Sequence, residues 1–286
     1  MAEQLFLFVQ MEFPWELGPT DGRYLLRAGQ GSEPEHVVVF GTLGAQRRAG
    51  RIGSRRRPPA SPVPAEVATA RVTVIDPIPV SAERQAQKWL ADLDGEREIS
   101  ATMKVINGVL FAHRIATADP YLHELSPAQA LTIRAGFGEG EQVADGTWRQ
   151  ARELPLSVPK TRRRASALRP QERLAVLLGA RGQALVCEEL TLRARLDYDH
   201  GRLGHAAIEL EHAYAAALVE LEAENRTDLT LRLQELRALQ ERVTRAAEQA
   251  IADVAGSASA KEDTIGPPLE RLEAALRART ATGFNS

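Results

Sequence analysis

The chain is poor in the residues that announce a chemistry. Its single cysteine in 286 residues, Cys187, excludes an internal disulfide and a cysteine-based zinc site. Lysine is scarce: arginine supplies 32 of the 36 basic residues, a bias that high-GC codon usage produces without selection for phosphate binding. Aromatic residues make up only 5% of the chain. No uncharged run approaches the roughly 18 apolar residues of a membrane-spanning helix. No basic region precedes the early LFLFV run, and Glu12 and Glu16 follow it, so a secretory signal is not indicated. Gly-x-Ser-x-Gly, Gly-x4-Gly-Lys and His-Glu-x-x-His patterns are all missing. These absences point away from an enzyme, a cofactor and a membrane, and toward a cytoplasmic bacterial protein.

What is present reads as an ordinary globular chain, 44% hydrophobic and 26% charged. Its net charge of −2 divides into +4 over residues 1–186 and −6 over residues 187–286. The predicted fold class is α+β: an N-terminal domain, 1–156, with an antiparallel or mixed sheet and two helices, then an all-helical domain, 170–281. Residues 5–13 alternate, with Leu5, Leu7, Val9, Met11 and Phe13 on one face and Gln10 and Glu12 on the other. Further strands are expected at 23–27, 36–43 and 70–76. Ser81 is a candidate N-cap for the first helix; the second spans 96–118, with Ile99, Met103, Ile106 and Leu110 on one face and Asn107-Gly108 weakening its middle. Trp15, in a proline-flanked loop, is expected to pin that loop to the core.

The segment GFGEGEQVADGTW, 136–148, could be a phosphate loop, a calcium loop or a pair of turns. A phosphate loop needs a helix start after its glycines, and Glu139 and Glu141 would repel the anion. Asp145-Gly146 is instead the pair preferred in a two-residue type I′ hairpin turn, with the earlier glycines in a bulge or turn.

From residue 170 on, apolar positions recur at helical spacing. Leu203, Ala207, Leu210, Tyr214, Ala217 and Leu221 form one stripe. Thr227 is a candidate cap for a helix over 228–254, in which Leu229, Leu236, Val243 and Ala250 repeat every seven residues. Pro267-Pro268 is expected to open a last helix. The hairpin around Gly201 resembles a single tetratricopeptide unit at Ala194, Gly201, Leu203, Ala206, Leu210 and Ala213, although the expected aromatic falls on Asp197 and no second copy follows. That resemblance implies peptide or protein binding.

Two arginine-rich segments are candidate partner-binding arms. The first, inside a proline-rich insertion over 45–66 expected to be disordered, carries Arg47, Arg48, Arg51, Arg55, Arg56 and Arg57. The second, in a basic linker over 157–169, carries Arg162, Arg163 and Arg164. Such arms can neutralise nucleic-acid phosphates, but no aromatic lies in either, so base stacking is not indicated. His205, Glu209 and His212 share a helix face at metal-ligand spacing, but opposite the apolar stripe and without a second Glu-x-x-His, so no metal is expected. Cys187 reads as a buried mid-helix hydrophobe, and Asp197, Asp199 and His200 gather near the Gly201 turn.

Three functions fit this pattern. The first is a non-enzymatic interaction or scaffold protein that uses its helical half to hold a protein partner or a second copy of itself. The second is a nucleic-acid-associated protein bound through the arginine arms. The third is an enzyme with an unrecognised site between the domains.

Overall fold

The computed structural model describes residues 4–44, 67–155, 170–253 and 261–282, and the chain divides into two compact units, Met1–Ser157 and Val158–Ser286. The architecture is α+β: a six-stranded antiparallel sheet with two helices in the first unit and, among the described residues, helices alone in the second.

In the first unit the strands are β1 (Leu5–Phe13), β2 (Gly22–Arg27), β3 (Pro34–Leu43), β4 (Thr69–Ile75), β5 (Thr132–Glu139) and β6 (Gln150–Glu153), in spatial order β2-β3-β4-β1-β5-β6. Helices α1 (Glu83–Asp92) and α2 (Gly95–Thr117) cover one face. There the odd residues of β1 meet Val38 and Phe40 of β3, Val72 and Val74 of β4, and Ile133 and Ala135 of β5, all buried under Leu90, Met103 and Ile106. This is the period-two logic of a strand with one face on a core. Ser81 does not cap α1: the cap position is Ala82, with no side-chain bond. Asp94 caps α2, accepting from the Arg97 N–H at 3.2 Å. Asn107 does not weaken α2. Its fully buried amide donates to the Leu125 carbonyl (2.9 Å) and accepts from the Leu125 N–H (2.8 Å), anchoring the connection to β5.

The second sheet face explains the glycine-rich segment. Residues Gly140–Asp145 form a 3-10 turn that folds back over the sheet, burying Val143 against Phe8, Val37 and Ile75. Gly136 and Gly138 lie in β5 on that face, where a Cβ would come within 2.4 Å of the Gln150 carbonyl and 2.8 Å of Val143 respectively. Gly136 is bare because β6 lies directly against it, and Gly138 because the returning turn passes over it. The predicted type I′ turn is absent: it requires positive φ at both central residues, and only Gly146 has it, at 91°. Underneath, Gln10 donates to Thr73 Oγ1 (2.9 Å) and to the carbonyls of Val143 and Ala144. Glu12 accepts from Arg71 and Arg134 on the flanking strands, at 3.0 and 3.1 Å. Trp15 does not pin its loop. It is 40% exposed, and Leu17 is the residue that enters the core.

The second unit contains α3 (Pro170–Leu178), α4 (Val186–Asp199), α5 (Leu203–Ala223), α6 (Thr230–Ala252) and α7 (Glu262–Thr282). Helices α4 to α7 pack as a bundle in chain order, with α7 returning against α4 and α5. The α4–α5 seam is built on alanines 194, 206 and 213, which let the backbones approach closely after the Gly201 turn (φ 74°). The stripe of α5 and the heptad positions Leu236 and Val243 of α6 are buried inside this same bundle. They are therefore not a surface awaiting a neighbour. Thr227 lies in a short 3-10 turn ahead of α6 and does not cap it.

Pro267 and Pro268 do not open α7, which begins at Glu262 and runs through them. Each proline removes an N–H from the helical ladder. The Asp263 carbonyl, four residues before Pro267, accepts instead from the Arg242 guanidinium of α6, and Tyr214 donates to the Pro268 carbonyl at 2.8 Å. A tertiary partner thus satisfies the carbonyl that Pro267 frees, and a second one ties the proline turn to α5.

Candidate functional site

The bundle closes differently along its α4–α7 seam. Elsewhere alanine and leucine meet; here a groove of about 1060 Å³ separates the helices, with Thr191, Leu192 and Arg195 on one wall and Glu273, Ala274 and Leu276 on the other. A charged pair bridges it. Arg195 donates from Nε and Nη2 to the two carboxylate oxygens of Glu273, at 2.7 and 3.0 Å. The same guanidinium reaches Asp199 at 3.4 Å and lies 5.3 Å from the centroid of the Tyr198 ring. Its planar fork suits this bidentate geometry, so the bridge is rigid and well oriented. Beside it Leu192 is 67% exposed. The groove therefore offers an apolar strip of Leu192, Ala274 and Leu276, a fixed central ion pair and charged residues of both signs, Glu270, Arg271 and Arg277 among them. That combination fits the apolar face and polar flanks of an amphipathic helix better than a small reactive substrate.

One end of the groove is locked by ion pairs. Glu188 accepts from the Leu185 N–H (2.8 Å), from Arg173 of α3 (3.2 Å) and from Arg279 of α7 (3.0 Å). Arg279 also holds Glu224 at the end of α5, at 2.5 Å. Glu220 of α5 accepts from the backbone N–H groups of Val186 and Cys187, at 2.9 and 3.0 Å, supplying the helix cap that α4 lacks locally. Burial works to raise the Glu220 pKa, but the bonds from Cys187 and Val186 outweigh it and hold the carboxyl below its ordinary range. Cys187 lies in the first turn of α4, not mid-helix. Burial, reinforced by the Glu220 carboxylate, pushes its thiol well above the usual value, so it is no nucleophile.

Helix α3 stands apart. None of its nine residues is buried, although Leu174 to Leu178 form an unbroken apolar run. Leu174 is 48% and Leu178 79% exposed. The turn that follows folds back on α3 itself. Ala180 takes a left-handed conformation (φ 53°), Gly182 sits against Val176, and Arg173 donates to the Gln183 carbonyl at 3.2 Å.

The arginines picked out in the sequence, Arg47, Arg48, Arg51, Arg55, Arg56 and Arg57 together with Arg162, Arg163 and Arg164, lie outside the described residues. His205 and His212 are exposed on α5, and no group of three His, Cys, Asp or Glu side chains able to hold a metal occurs among the described residues. At the Gly201 turn Asp197 pairs with Arg202 at 2.5 Å, Asp199 with Arg195, and His200 Nδ1 lies 2.7 Å from the Leu196 carbonyl oxygen. The sequence reading missed the Arg195–Glu273 bridge, whose partners are far apart in the chain and share no local pattern. The signal for α3 was available, because five consecutive apolar residues cannot all fit the single stripe of a helix packed on one side. No helix among the described residues is long and apolar enough to cross a membrane. No family model, curated protein or solved structure matches the chain.

Proposed function

We propose that the protein is a non-enzymatic interaction module whose helical unit seats an amphipathic helix in the groove between α4 and α7. The observation that carries this reading is the groove itself, with exposed Leu192 beside a preorganised Arg195–Glu273 bridge. An incoming helix would place leucines against Leu192, Ala274 and Leu276 and direct polar side chains to the ion pair. The pair is already formed, so little ordering entropy opposes docking. The embedded hairpin of α4 and α5 serves as a rigid wall, since its alanine seam leaves it little freedom to move.

The experiment is a titration of the full chain with a synthetic amphipathic helix of about twelve residues, bearing leucines at every third and fourth position, followed by amide nuclear magnetic resonance. Saturable shifts concentrated on α4 and α7 that vanish in the Leu192→Glu variant support the reading. Shifts spread over the surface, or none at millimolar peptide, defeat it.

A further inference from the structure

Resting on that reading, we infer that the helix seated in the groove is α3 of a second copy of this chain, exchanged reciprocally so that each copy fills the other's α4–α7 groove. Two unfilled surfaces on one unit motivate this. Helix α3 presents an apolar run with no buried residue, and the groove presents an apolar strip of Leu192, Ala274 and Leu276 that no helix among the described residues covers. A nine-residue helix is shorter than the roughly 12–15 residues needed to hold itself in water, so α3 depends on packing against something.

The dimensions agree. At 1.5 Å per residue α3 is about 13 Å long, and the groove runs about 16 Å along α4 from Glu188 to Asp199. The turn after α3 decides between a self-contained and an exchanged arrangement. Arg173 is committed to Glu188 of α4 and to the Gln183 carbonyl, and Val176 to Gly182, which holds α3 at one end of its own groove with Leu174 and Leu178 exposed. Leu174 and Leu178, four residues apart, share one helix face. A two-fold axis relating the copies would make both arms dock at once, closing the assembly at two subunits. Two such contacts bury on the order of 1,200 Å², the lower end of stable interfaces, so a weak, concentration-dependent dimer is expected.

The test is sedimentation of the full chain from about 1 to 100 µM. The expected result is a concentration-dependent dimer, abolished by Leu174→Ser with Leu178→Ser and also by Leu192→Glu. Both variants alter exposed side chains, and unchanged helical circular dichroism verifies that they fold. Mixing them leaves one arm and one intact groove to each pair, so association should reappear only weakly, toward the top of that concentration range. A monomer throughout, or a dimer that survives the arm variant, overturns the exchange. If the monomeric chain still binds the synthetic helix at α4 and α7, only the identity of the occupant has failed; if it binds nothing there, the groove reading has failed as well.

Discussion

Replacing Gly136 by alanine tests the account of the glycine-rich segment. The added Cβ would lie 2.4 Å from the Gln150 carbonyl oxygen, 2.7 Å from Ala151 Cβ and 2.8 Å from Ala151 Cα. Ordinary contact begins near 3.4 Å, so β6 must move by about 1 Å, and the groups in the way are backbone and a Cβ, not the flexible end of a side chain. Moving β6 breaks its four-residue pairing with β5 and lifts Trp148 from Phe8, whose rings are 5.7 Å apart. Overpacking costs about 1–3 kcal/mol, and immovable neighbours place this case near 3. For a unit of this size that lowers Tm by roughly 6–12 °C. The three tryptophans, Trp15, Trp89 and Trp148, all fall in the first unit, so urea unfolding followed by tryptophan fluorescence reads that unit alone. Gly108→Ala is the control: it is exposed in α2 with nothing within 4 Å of the added Cβ, and it should stabilise by about 0.5–1 kcal/mol. If Gly136→Ala stays within about 0.5 kcal/mol of the parent, β6 does not press against β5 at Gly136 as described.

Two further predictions concern the helical unit. Glu220→Gln should cost about 0.5–1 kcal/mol at pH 7, because the α4 N-terminus keeps an acceptor but loses its charge. Since the Glu220 pKa is depressed in the folded protein, its contribution is complete above the ordinary carboxylate range and is lost as pH falls below it; parent and variant stabilities measured by urea at a series of pH values should converge in acid. An undiminished difference at acid pH refutes the cap. Gly266→Ala should destabilise by about 1–2 kcal/mol, because its Cβ meets the Tyr198 hydroxyl at 2.7 Å, and adding Tyr198→Phe should recover at least half of the loss in thermal unfolding followed by circular dichroism.

The period-two pattern of β1 and the helical stripes of α2, α5 and α6 were legible because local spacing decides which face is buried. What escaped depends on groups distant in sequence. Asn107 looks like a helix-weakening residue until Leu125 supplies its partners, and the Pro267-Pro268 pair looks like a helix start until Arg242 reaches the Asp263 carbonyl and Tyr214 the Pro268 carbonyl. Gly136 and Gly138 signal a turn by type, yet serve as a clearing in a strand. The candidate site was the least legible part. Its bridge joins Arg195 to Glu273 across 78 positions. The heptad stripe that suggested self-association is buried within the chain, and the exposed run on α3 offers that surface instead.

The most direct test of the arm-in-groove claim is a disulfide between two different chains, one carrying Leu178→Cys and the other Ala274→Cys. The natural Cys187 is fully buried and does not compete. Mixed under mild oxidation, the two should give a covalent heterodimer in good yield, suppressed when Leu192→Glu is added to the chain that supplies the groove. Failure of the mixed chains to cross-link, while a single chain carrying both cysteines closes on itself, would contradict the exchange.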